Sequence, residues 1–105
     1  MFRRALLALP LATLLSAAAA PDPATPPAFQ EGLDALSASL WEVAAVRFET
    51  ALATPALDPK ARPEILLRLA ETRIRNGEPD AALKLLADPA LAALPELPFW
   101  KAQAH

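Results

Sequence analysis

The side chains of this chain that could do chemistry are few and poorly spaced for it. The one histidine is His105, the last residue, and there is no cysteine. Ser37, Ser39, Thr50 and Thr72 carry hydroxyls, but none has a His or Lys one helical turn away to act as its base. Carboxylates on a shared helical run recur at a spacing of seven, as in Glu42/Glu49 and Glu64/Glu71. That is two turns, too far for both to ligate one metal ion. Without cysteine there is no disulfide framework, thiolate zinc site, cysteine nucleophile or lipidated N-terminal Cys. Two glycines rule out a Gly-rich phosphate cradle, and 6% aromatics with no tyrosine leave no base-stacking platform. The net charge of -2 lacks the basic footprint of a nucleic-acid binder. The expectation is a chain that is not an enzyme, with no cofactor, no metal, no small-molecule ligand and no nucleic-acid partner.

What remains is apolar and proline-punctuated. Hydrophobic residues make up 54% of 105, too many for an intrinsically disordered chain, and the length allows one ordinary domain at most. Residues 1–20 read MFRRALLALPLATLLSAAAA. Arg3 and Arg4 form a positive n-region, Ala5 to Leu15 an apolar h-region, and Ser16 to Ala20 a small-residue c-region. This is the layout of a secretory signal peptide; cleavage after Ala19 places Ala17 and Ala19 in the two small pockets of the peptidase, with Ala18 and Ala20 as the alternative sites. A spanning helix needs about 20 apolar residues, more than Pro10 and the alanine-rich end leave here. The expected product is exported, periplasmic or secreted, touching a membrane through an uncleaved signal if at all. From residue 20 onward eight basic side chains face twelve acidic ones, a net charge of -4. Residues 20–28, APDPATPPA, form a Pro-rich linker of extended backbone.

Beyond the linker, helical runs alternate with Pro or Gly breaks. Leu33, Leu36 and Leu40 make one face of a first run from Phe29. A second run, Trp41 to Ala53, carries a wide stripe of Val43, Val46 and Ala51 interleaved with Ala44, Phe48 and Leu52, and Ser37 or Ser39 is placed to cap it. Pro63 opens a third run with Ile65, Leu66, Leu69, Ala70 and Ile74 inside, and Asn76-Gly77 stops it with a left-handed cap. Pro79 opens a fourth, broken at Asp88-Pro89, and residues 98–105 open a fifth. Glu64/Arg68, Glu71/Arg75 and Asp80/Lys84 are acid-before-base pairs four apart, read as solvated helix faces. No run alternates with period two, so the reading is all-α.

Two helix pairs, 29–54 and 63–88, call for a search for a repeat. Leu66, Leu69, Ala70, Gly77 and Ala82, in the stretch LLRLAETRIRNGEPDAALKLL, resemble the tetratricopeptide repeat at its positions 4, 7, 8, 15 and 20. In the first pair Gly32, Ala44, Phe48 and Ala51 stand at positions 8, 20, 24 and 27. Trp100 and Ala104 match positions 4 and 8 of a third repeat that begins as the sequence ends. Three departures stand out. The 54–62 loop lengthens the period, position 11 (usually aromatic) holds Ala35 and then Arg73, and position 27 of the second repeat is Pro89. The resemblance implies antiparallel hairpins stacked as a TPR-like α-solenoid, with small residues where paired helices cross closely. Arrays of this kind need about three repeats. The chain therefore reads as the N-terminal portion of a longer protein or a truncated reading frame, and residues 20–105 alone as marginally stable and prone to associate.

The resemblance also implies a concave groove lined by the first helix of each pair, binding other proteins or peptide segments. By position the lining residues are Phe29, Leu33 and Leu36 from the first repeat and Leu67, Glu71, Ile74 and Arg75 from the second. The Lys and Asn with which family members clamp a terminal carboxylate are absent: Phe29 and Leu67, then Leu33 and Glu71, stand there instead. The expectation is a groove that prefers apolar segments, in a scaffold or adaptor of the bacterial cell envelope. The alternative is the non-catalytic helical N-terminal region of a larger exported enzyme.

Overall fold

The computed structural model describes residues 25–105, so the signal sequence, its cleavage site and linker residues 20–24 lie outside the described residues. Five α-helices follow one another: α1 (Pro27–Ser37), α2 (Trp41–Leu52), α3 (Arg62–Arg75), α4 (Pro79–Leu86) and α5 (Leu97–Ala104), with a 3₁₀ turn at Pro89–Leu91 before the last. No strand occurs among the described residues. Proline sits at the first or second position of α1, α3, α4 and α5, where no intrahelical N–H is lost. α1 thus begins at Pro27 and absorbs the last two residues expected in the linker. At the 3₁₀ turn Asp88 caps through its carboxylate, accepting from the Ala90 N–H at 2.9 Å.

Both helix pairs turn the corner with the same device. After α3, Gly77 takes φ +76°, the Gly77 N–H donates to the Ile74 carbonyl at 3.1 Å, and the Glu78 N–H donates to Arg73 at 2.8 Å. This is a Schellman cap. After α1 the same pattern recurs 38 residues earlier, with Ser39 N–H to Leu36 at 3.1 Å and Leu40 N–H to Ala35 at 2.9 Å. There the left-handed position belongs to Ser39, at φ 62°. The expected serine cap of α2 is therefore not made. Leu40 is the residue before α2, with no side-chain cap, and the Ser37 hydroxyl donates back to the Leu33 carbonyl. A left-handed Ser carries a Cβ penalty that Gly avoids. Ser39→Gly is expected to stabilise the fold by about 1 kcal/mol, read as a higher urea midpoint with an unchanged slope.

Each helix packs on the next, and α1 also touches α3 and α3 touches α5. One core joins Ala35, Ala44, Ala45, Phe48 and Ala51 to Ile65 and Leu69. A second joins Leu66, Leu67, Ala70, Ala82, Leu86, Leu91 and Ala104. Burial recurs with the 38-residue period: Gly32 and Ala70, Ala44 and Ala82, and Phe48 and Leu86 are all buried. The tightest crossing is at Gly32, where an added Cβ would stand 2.5 and 2.7 Å from two ring atoms of Phe48. The stripe expected on α2 is corrected. Val43 and Val46 are 46% and 54% exposed, while Ala45 is buried against the neighbouring pair. Helices this close admit a methyl on the facing surface and turn the branched side chains outward. No helix among the described residues is long and apolar enough to cross a membrane.

Candidate binding cleft between α1 and α3

α1 and α3 lie side by side and leave a cleft of about 410 Å³. Leu33, Leu36 and Ser37 of α1 form one wall, Ser39 and Trp41 close the end, and Arg68, Glu71 and Arg75 of α3 form the opposite wall. Of the seven residues expected in a groove, Leu33, Leu36, Glu71 and Arg75 meet here. The other three are placed in the cores. Phe29 packs its ring 5.8 Å from that of Phe48, Leu67 is fully buried, and Ile74 packs on the second core. The second core also holds Trp100 and Ala104 of α5, which lies against α3 and covers that side of it.

The charged wall is an ordered network rather than a solvated face. Glu71, expected in water, has a side chain only 9% exposed. Its Oε1 accepts from Arg68 Nη1, and its Oε2 accepts from Arg75 Nε at 3.1 Å. The two arginines stand one turn either side of it on α3. Arg68 also donates to Glu64 at 2.9 Å and to Glu96, ahead of α5, at 3.2 Å. Its guanidinium lies 6.0 Å from the centre of the Trp100 ring. Burial opposes the Arg68 charge, but Glu64 and Glu71 outweigh it and hold its pKa above the ordinary guanidinium value. The expected Asp80/Lys84 pair is not among the ion pairs of the described residues, whereas Glu64/Arg68 and Glu71/Arg75 both form.

Arg68, Ser37, Ser39 and Trp41 are not singled out as groove residues by the sequence. A signal for Arg68 was present: Glu64, Arg68, Glu71 and Arg75 are spaced four, three and four, one continuous helix face. Because that face carries charge beside the leucines, the cleft is not the apolar groove expected. Among the described residues no three His, Asp or Glu side chains converge to hold a metal ion.

A second polar network ties α2, α3 and the start of α4 away from the cleft. Arg73, at the position usually aromatic, donates to Glu49 of α2 at 2.8 Å and to Glu78 at 3.0 Å. Asn76 donates to Glu42 of α2 and to Glu78. Burial opposes the charge of Arg73, yet Glu78 and Glu49 leave its pKa raised. The hydrogen bond from Asn76, then that from Arg73, holds the Glu78 carboxyl below its ordinary value. A folded pKa below the unfolded one means that the unfolded chain binds more protons as pH falls. The contribution of Glu78 is thus present above the ordinary carboxylate range and lost as pH drops through the depressed value. The stability difference between the wild type and Glu78→Gln is expected to be flat above pH ~5 and to vanish in acid. Chemical denaturation across pH checks it.

Compared with protein-family models, curated proteins and solved structures, the chain matches none.

Proposed function

We propose that this chain is a tetratricopeptide-like helical-repeat protein, exported from a bacterial cell, that acts without catalysis as a scaffold or adaptor for other proteins in the envelope. The cleft between α1 and α3 carries the reading. It lies between the first helices of successive pairs, where a repeat solenoid presents its concave surface. The support comes from three directions: the 38-residue recurrence of buried small residues, contacts running from each helix to the next and from first helix to first helix, and the paired Schellman turns. A cleft of this size with two leucines and a tryptophan beside a few polar groups has the make-up of a recognition site. Export rests on the n-, h- and c-regions of residues 1–20.

A photo-crosslinking side chain at Leu36 in the cleft, compared with one at exposed Thr50 of α2, tests the scaffold in an intact bacterial envelope. Discrete protein adducts from position 36 and none from position 50 are the expected result. Equal labelling, or no adducts at either, would sink it. Mass spectrometry of the mature N-terminus tests export: the expected chain begins at Ala20.

A further inference from the structure

Asn76 is the one asparagine of the chain, and Gly77 follows it. That pair can react without a catalyst. The Gly77 backbone nitrogen can attack Cγ of Asn76, because no Cβ on the following residue bars the approach. The new N–Cγ bond closes a cyclic imide and the Cγ–Nδ2 bond breaks. Nδ2 leaves as ammonia, taking the proton of the Gly77 N–H. Water then opens the imide. Cleavage at Cγ leaves an aspartate; cleavage at the old backbone carbonyl leaves an isoaspartate, with an extra methylene in the main chain.

The fold holds the reacting atoms apart. Ring closure needs the Gly77 nitrogen on the Cβ side of Asn76, but at the observed ψ of 7° it eclipses the Asn76 backbone nitrogen instead. The Gly77 N–H donates to the Ile74 carbonyl at 3.1 Å and the Glu78 N–H to the Arg73 carbonyl at 2.8 Å, so the nitrogen cannot swing without breaking the Schellman turn. The carboxamide is tied as well, with Nδ2 donating to Glu42 of α2 and to Glu78. The product does not fit back into this corner. A carboxylate only accepts hydrogen bonds, and both groups that Nδ2 faces are carboxylates. The nearby guanidinium of Arg73 already serves Glu49 and Glu78. Position 76 is also the C-cap of α3, where the helix dipole opposes a negative charge. We propose that Asn76-Gly77 is a deamidation site kept latent by the fold. The imide closes only while the corner joining α2, α3 and α4 is open, and the acid it leaves loosens that corner for good. This goes beyond the scaffold reading and does not rest on it.

The test incubates the purified chain at mildly alkaline pH, in buffer and in enough urea to unfold it, and follows residue 76 by peptide mapping and mass spectrometry. Conversion is expected to be roughly tenfold or more slower in buffer than in urea, since it must wait for the turn to open. Glu42→Ala removes an exposed side chain and with it the tie from α2, so it should quicken conversion in buffer and leave it unchanged in urea. Urea midpoints read the consequence. Asn76→Asp should fall below Asn76→Ala, which loses the same hydrogen bonds without adding a charge. Equal rates in buffer and urea, or no conversion in urea, overturn the latent site. That comparison uses the wild type alone, so it stands whatever the variants do. A Glu42→Ala rate in buffer equal to that of the wild type overturns the hold from α2. An Asn76→Asp midpoint at or above that of Asn76→Ala overturns the loosening.

Discussion

Phe48→Ala is expected to cost about 3–5 kcal/mol, the range for removing a fully buried phenylalanine. Phe48 has no solvent exposure and sits where α1 and α2 cross, its ring against Gly32 and tilted 50° to that of Phe29. Roughly 80 residues at 0.05–0.15 kcal/mol each give a total of about 4–12 kcal/mol. At the lower end of that range one truncation is enough to leave much of the population unfolded at room temperature. The complementary change sharpens the point. Gly32→Ala adds one methyl and raises helix propensity, which by itself would stabilise. At 2.5 Å from the Phe48 ring that methyl has no room, and the ring lies in a packed core. Overpacking at about 1–3 kcal/mol outweighs the propensity gain. Adding Phe48→Leu to Gly32→Ala frees the space, so the double variant should be less destabilised than the two single losses combined. Urea unfolding of the four proteins gives the coupling energy. Additive losses would mean that the crossing is looser than described, and the close-approach basis of the repeat reading would fall with it.

That crossing is also where the sequence was most legible. Position 32 accepts no Cβ, and positions 44, 70 and 82 carry only a methyl. Small residues in an otherwise Leu-rich chain state where helices meet. Proline and glycine marked the breaks nearly as well, because their effects are local: a ring that fixes φ, and a backbone free to take the left-handed region.

What failed had non-local causes. Val43 and Val46 outrank Ala45 in hydrophobicity, yet the neighbouring pair packs on the alanine. Hydropathy does not carry the interhelical distance that made the difference. Ser39 looked like a cap for the next helix. The turn from Ser37 to Trp41 is so short that one residue must take positive φ, and the serine holds that place. Glu71 reads as solvated because the residues that order its wall come partly from elsewhere in the fold: Arg68, which with Arg75 donates to it, is itself held by Glu96 from ahead of α5. Leu67 and Ile74 stand at groove positions of the repeat that the sequence resembles, but α5 lies over that side of α3. A single helix does not announce which of its neighbours will cover it.

The second large effect concerns the hub of the charged wall. Arg68→Leu is expected to destabilise by about 2–3 kcal/mol, below the 3–5 kcal/mol of a buried pair broken outright. The reduction has a structural reason: Arg75 still donates to Glu71, so its charge is not left unpartnered. The Arg68 side chain is 17% exposed and that of Glu71 9%, so solvent cannot make good the rest. If desolvated charge is the cause, Arg68→Leu/Glu71→Leu should recover much of the loss, because removing both partners also removes the cost of burying either. If the loss came from packing alone, the double variant would be at least as unstable as the single. The same change frees Glu96 and takes the guanidinium from the Trp100 ring. Amide exchange across Leu97–Ala104 should therefore quicken more than exchange in α1, because α5 meets the fold through α3 and α4 and Arg68 supplies its charged tie to α3. Uniform acceleration along the chain would instead mean that α5 opens only when the whole array does, and the hub would have no local role.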